Sequence, residues 1–387
     1  MNNLKLLLIS YIFFSIILVK LFYQVVIMNR KRRNKKKLWL IKHNKKKLKQ
    51  RTVRKKKRKN ALKNNRNYYK PTQYSYYDKK IQEYKFLAPE NFSIMNNPLD
   101  TIEYFNDVIH KINEKVHHKF TINFLLENVK EITIDAVMYM LAITKNTKKF
   151  HHTKGSYPIN DNAKAIFMNS GFLKYVFSNK NIINPNPNND IQIRMSNDSN
   201  ENATTCKEIN LTLMNRYGIE RGKLHFLYDI LYEMMINTNE HAYSSDTFLL
   251  NNWYVYVALE DEKVKFSFLD TGIGIPKTVN KNFFEKINLL GLKNDAELIL
   301  SALNGEFKTA TKQVYRGKGL PKFTKYNKIG KIQNFKIVSG KGMVVYDKEK
   351  QNYVTYNLDK HLVGTVYYFE IEIDKLREEK NNGNNNL

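Results

Sequence analysis

"YEMMINTNEHAY", residues 232–243, sets an acid, an amide and an imidazole at Glu233, Asn237 and His241 within an otherwise apolar stretch. Phe226, Leu227, Ile230, Leu231, Met234 and Met235 recur around them at the i, i+3, i+4 spacing of an inward-facing stripe, which predicts a helix. A step of four residues turns a helix by about 400°, so the three polar groups drift roughly 40° per step and share one face. Such a face is either a solvated stripe or the wall of a site. Burying a carboxylate and an amide costs several kcal/mol unless something pairs with them, so the second reading needs partners elsewhere in the chain.

Three later stretches offer them. In "FLDTGIGIP", residues 268–276, the strand-like run Val264, Phe266, Phe268 delivers Asp270, followed by Gly272, Gly274 and Pro276. Glycines there permit close approach to the backbone, and the single acid is a fixed hydrogen-bond acceptor beside them. In "RGKGLPKF", residues 316–323, Gly317 and Gly319 flank Lys318 ahead of Leu320. Backbone N–H groups freed by glycine, with a cation nearby, form a cradle for phosphate. Finally, "LVGTVYYFEIEI", residues 362–373, opens an alternating strand on Gly364 and Thr365.

The order Glu-x-x-x-Asn, Asp-x-Gly-x-Gly, Gly-x-Gly-Leu and Gly-Thr resembles the GHKL ATP-binding fold shared by DNA gyrase, the large heat-shock chaperone, histidine kinases and MutL-type repair proteins. The resemblance covers residues 205–376 and implies a two-layer α/β (α+β) sandwich that takes ATP and Mg2+. By that likeness Asn237 would hold magnesium against the nucleotide phosphates, and Asp270 would accept from the adenine amino group. Gly272 and Gly274 would let the base lie close. Gly317, Lys318, Gly319 and Leu320 would fold over the phosphates, and Thr365 would support the adenine end.

Glu233 carries the catalytic expectation. Typical sensor histidine kinases have an amide at the corresponding place, whereas the gyrase, chaperone and repair branches keep a glutamate that activates water. The pattern Glu-x-x-x-Asn-x-x-x-His-Ala-Tyr is closest to the anti-sigma-factor serine kinases, which also keep it. A carboxylate beside a γ-phosphate can orient or deprotonate a hydroxyl of water or of serine. Two departures stand out. Thr238 replaces the alanine that usually follows the asparagine, and His110, His117 and His118 in "VIHKINEKVHHKF" lack the acid of a phosphoacceptor box. Those histidines read as surface or packing residues, which argues against a classical two-component kinase.

Composition frames the rest. At 387 residues and 42% hydrophobic, the chain has room for two globular domains. Its single cysteine, Cys206, excludes an intramolecular disulfide and fits a reducing compartment. Of the net charge of +29, 22 positive charges and no acid lie between Asn29 and Lys70, so the remainder is nearly ordinary at about +7. That segment is expected to stay extended, or to become helical only against a partner, and to attract anionic lipid or nucleic acid.

Directly before it, "LKLLLISYIFFSIILVKLFYQVVIM", residues 4–28, is long enough to cross a bilayer, with Lys20 left to snorkel. The charge that follows would place everything after it in the cytoplasm, at the inner face of the membrane. A start at Met28 is the alternative.

Residues 85–195 alternate strand and helix. "FTINFLLENVKEITIDAVMYMLAIT" reads as strand, connector and apolar helix, and "DNAKAIFMNSGFLKYV" as a helix closed near Gly171. With "ITID" and "SGF", this part is similar to a STAS domain, in which Ala136 would stand where a phosphorylated serine follows the aspartate, here Asp135. Asn- and Pro-rich residues 179–204 read as a linker, counted as 196–204 between the two domains. The expected organisation is an anchor over 1–28, a basic segment over 29–84, the STAS-like domain, the linker, the ATP-binding domain and a tail over 377–387. The expected function is magnesium-dependent ATP hydrolysis that changes domain arrangement or the binding of a protein partner, with a homodimer as one partner arrangement. A serine/threonine kinase and a nucleotide-gated binding module are the alternatives.

Overall fold

The computed structural model describes residues 75–78, 83–114, 120–147, 152–177, 188–241, 249, 252–280, 287, 291, 294–307 and 319–378. The apolar stretch 4–28, the basic run 29–70, His117, His118, Gly317, Lys318 and the tail from 379 lie outside these residues. Among the described residues no helix is long and apolar enough to cross a membrane.

The first part comprises β1 (Ser75–Asp78), β2 (Glu83–Leu87), β3 (Asn91–Phe92), α1 (Pro98–Glu114), β4 (Thr121–Leu125), β5 (Glu131–Ile132), α2 (Ile134–Thr147), β6 (His152–Gly155), α3 (Asp161–Asn169) and α4 (Phe172–Val176). Strands β2, β4 and β6 are parallel, β1 pairs antiparallel with β2, and β3 and β5 form a short parallel ladder. Helix α3 is capped by Asn160, whose side chain accepts from the Ala163 N–H, and the chain turns at Gly171 with φ 82°. The basic segment was expected to reach residue 84. Strands β1 and β2 begin earlier, because the aromatic residues after Lys70 favour strand once the charge run has ended.

The second part comprises β7 (Ile191–Ser196), α5 (Ser199–Tyr217), a 3₁₀ turn at Arg221–Leu224, α6 (His225–His241), β8 (Trp253–Leu259), β9 (Lys263–Asp270), α7 (Asp295–Leu303), α8 (Gly319–Lys328), β10 (Gln333–Asp347), β11 (Asn352–Glu372) and α9 (Ile373–Glu378). The five strands pair antiparallel in the order β10-β11-β9-β8-β7. The fold is thus mixed α+β. The expected linker 196–204 is a correction: Ser196 ends β7, and α5 begins at Ser199 behind Asp198, which caps it by accepting from the Asn200 N–H. Asp190 staples β7 in place by accepting from the Tyr256 hydroxyl at 2.6 Å and the Leu259 N–H at 2.8 Å.

Alternation along β8 sends Trp253, Val255, Val257 and Leu259 to one face and Tyr254 and Tyr256 to the other, and all six are buried. The first set packs with α5, α6 and α8, where Phe266 and Phe369 stack in register at 4.7 Å. Each ring removed from water there contributes on the order of 1.5–3 kcal/mol. The other set shares a core with α1 and α2 and, beyond them, with Phe86, Ile122 and Phe124 of the parallel sheet. The shared core covers the second face of the antiparallel sheet with helices of the first part. It also joins the two expected domains in one compact unit. Helix α2 accordingly is buried almost all round, as a helix between two sheets must be.

Asp135 and Ala136, which carried the STAS likeness, are both buried at the start of α2. The Asp135 carboxylate accepts from the Met95 N–H at 2.8 Å and from the Thr133 hydroxyl, while burial raises its pKa. Both residues are parts of the core.

Candidate functional site

Helix α6 lies on the sheet through Phe226, Leu227, Ile230, Leu231, Met234 and Met235, all buried as the spacing predicts. Glu233 and Asn237 are only half-buried. What stands against them is Gly319, the first residue of α8. A Cβ on Gly319 would lie 3.2 Å from the Glu233 Cβ and 3.3 Å from both the Asn237 Nδ2 and the Glu233 Oε2. A side chain at this position would press on Glu233 and Asn237, so the glycine eases the close meeting of the two helices. The contact brings the N-terminus of α8, with its unpaired N–H groups and partial positive charge, to the polar face of α6. One turn along α8, Lys322 donates to Glu233 Oε1 at 3.3 Å and lies 3.8 Å from Asp229. Thr238, the departure from the usual alanine, is buried and satisfied by donating to the Met234 carbonyl at 3.0 Å. His241 is the last residue of the helix.

The second cluster is a row across the sheet. Ser339 of β10 pairs with Thr365 of β11, Thr365 with Asp270 of β9, and Asp270 with Trp253 of β8. Ser339 and Thr365 are buried with their hydroxyl oxygens 2.9 Å apart, and Ser339 also donates to the Gly364 carbonyl and accepts from the Ile275 N–H. Asp270 is half-buried. The Gly272 N–H donates to its Oδ1 at 2.7 Å, the one hydrogen bond to this carboxylate among the described residues. Desolvation by the surrounding atoms pushes its pKa up to about 6, against the pull of the Gly272 N–H. Thr271 then pins the exit from the strand by exchanging hydrogen bonds with the Asn252 backbone.

Two glycines are obligatory here. Gly274, at φ +83°, would place a Cβ 2.9 Å from the Ser339 hydroxyl, and Gly364, at φ +99°, would drive one into the Asp270 carbonyl oxygen.

The two clusters meet through a small apolar group. Ile275, just after Gly274, and Leu320, just after Gly319, both pack against Val279, Ile287, Leu298, Ala302 and Phe307. Of the residues singled out from sequence, Glu233, Asn237, Gly319 and Leu320 thus gather at one end, and Asp270, Gly272, Gly274 and Thr365 at the other. Gly317 and Lys318 lie outside the described residues.

Sequence reasoning passed over Lys322 and Ser339. It also passed over "SGKG" at 339–342, where β10 bulges and the Lys341 N–H donates to Asp295 at the start of α7. Two glycines inside an apolar strand are the signal that could have found the bulge.

Among the described residues no group of three or more His, Cys, Asp or Glu gathers to hold a metal. A magnesium site resting on Asn237 is compatible with that, because magnesium takes most of its ligands from phosphate and water. No protein-family model matches the chain, and no curated protein matches it.

Proposed function

We propose that this chain binds ATP with magnesium between the α6–α8 contact and the Asp270–Thr365 row, and hydrolyses it. The observation that carries the reading is Gly319, where an added Cβ would lie within 3.3 Å of both Glu233 and Asn237, so that two sequence motifs 82 to 86 residues apart meet at one place. In this reading the adenine amino group donates to Asp270, with Thr365 and Ser339 fixing the strand behind it and Gly272 and Gly274 leaving room for the ring. The N-terminus of α8 faces the phosphates. Magnesium, held by phosphate oxygens, water and the Asn237 side-chain oxygen, would offset phosphate charge. Glu233 orients and deprotonates the attacking water, and Lys322 holds that carboxylate in place.

Nucleotide occupancy can reach the other layer through β11. Just ahead of Gly364, the Val363 carbonyl accepts from the Tyr139 hydroxyl at 3.0 Å and the His361 carbonyl from Asn106 at 3.1 Å. Lys360 pairs with Glu103 at 2.8 Å. Helices α1 and α2 therefore grip the strand segment that leads into the row.

Incubating the full chain with γ-labelled ATP and magnesium and separating the products tests the assignment. Free phosphate is the expected product. Label on protein instead would point to the serine/threonine kinase, and bound nucleotide with neither product to a gated binding module.

A further inference from the structure

Far along the chain from the nucleotide motifs, the first α/β part holds a cavity of about 340 Å³. Its origin is legible in β6. Thr153 and Gly155 pair with Ile122 and Phe124 of β4 and share their face, so this edge strand offers only a small side chain and a glycine where its neighbour offers large ones. The space left under β6 is walled by Phe124, Met140 of α2, Phe167 of α3 and Leu173 and Val176 of α4. A concave, mostly apolar cleft that opens to solvent is the ordinary form of a small-molecule site.

The chemistry of the walls selects the occupant. The Thr144 hydroxyl spends its proton on the Met140 carbonyl at 2.8 Å, while the Ser156 hydroxyl accepts from the Leu126 N–H at 2.9 Å and keeps its own proton to donate. Lys154 is the single charged residue of the lining; the alternation of β6 points its side chain to the opposite face, where its Nζ lies 4.0 Å from Glu83. The wall therefore presents mostly hydrocarbon and aromatic surface, a few neutral polar groups and no charge. At the rim, Tyr157 is 42% and Phe177 50% exposed, a pair of aromatic side chains left in water. The position is independently telling. Leu126, Ser156 and Tyr157 follow directly from the carboxyl ends of the parallel strands β4 and β6, where open α/β sheets place their ligands.

We propose that this cavity is a binding site for one small, uncharged, apolar molecule, aromatic or hydrocarbon in character, that enters between Tyr157 and Phe177. The site stands independently of the nucleotide reading. The neutral fluorophore N-phenyl-1-naphthylamine is a suitable probe with the full chain. Its emission is expected to rise saturably to one probe per chain. Thr144→Met and Leu173→Trp, which fill the space from two different helices, should each weaken that binding at least tenfold with circular dichroism unchanged. Tyr157→Ser, at an exposed position that leaves the core intact, should weaken it severalfold. Absence of saturable binding, or equal binding to the parent and to every folded variant, would overturn the proposal, the latter by placing the probe elsewhere on the chain.

Discussion

Asp270 and Thr365 stand opposite one another in register across β9 and β11, and Ser339 extends the row onto β10. The row holds a carboxyl group whose pKa is pushed up to about 6 by desolvation. Between the ordinary value near 3.8 and about 6, the folded chain holds this proton more tightly than the unfolded one. Asp270 therefore adds stability as pH falls through that window and loses the contribution as pH rises past 6. Nucleotide binding should run the other way, since the charged acceptor is lost below 6. The affinity advantage of the parent over Asp270→Asn is expected to shrink between pH 7.5 and pH 5.5. Comparison with the variant cancels the titration of ATP itself, and a pH-independent ratio would contradict the assignment.

Glu233→Ala is expected to leave nucleotide affinity nearly intact while lowering hydrolysis by about 10²–10⁴-fold, the range for loss of a positioned base. Lys322→Ala should lower turnover less. Because Lys322 acts through the 3.3 Å contact with Glu233, the double variant should be no slower than Glu233→Ala alone. Additive losses in single-turnover rates would show that the lysine acts by another route.

Gly364→Ala should destabilise the fold by roughly 2–4 kcal/mol, combining left-handed backbone strain with a clash in a packed sheet. The position sits at φ +99° against the Asp270 carbonyl. Urea unfolding measures the cost. A midpoint equal to the parent's would mean that the strand does not cross β9 so closely.

Tyr139→Phe removes the hydroxyl that donates to the Val363 carbonyl from α2. Loss of this part-buried bond should cost about 1 kcal/mol in urea unfolding. If α2 steadies the approach to Thr365, ATP affinity should fall as well, and unchanged affinity alongside lost stability would confine the bond to a structural role.

Why some of this could be read from sequence and some not follows from the range of the interactions. The face of α6 is legible because Glu233 and Asn237 are four residues apart, a local relation that helical geometry alone decides. Gly274 and Gly364 signal positions where a side chain does not fit, although not what it would strike. Register is different: that Ser339 meets Thr365 and Thr365 meets Asp270 is set by strand pairing over long separations. Strand β7 was hidden because Ile191 and Ile193 sit in Asn-rich sequence that resembles a connector. Double coverage of the sheet had a sign that went unused. "WYVYVAL", 253–259, is apolar at every position, as a strand buried on both faces must be.

Calorimetric titration of magnesium and ATP into the full chain, beside Asp270→Asn and Asn237→Ala, measures nucleotide binding at this site. One nucleotide per chain is expected, with affinity weakened by roughly 1–3 kcal/mol in Asp270→Asn through loss of a charge-assisted hydrogen bond, and with the magnesium dependence lost in Asn237→Ala. Absence of binding to the folded parent, or the same affinity in a folded Asp270→Asn, would contradict the proposed binding.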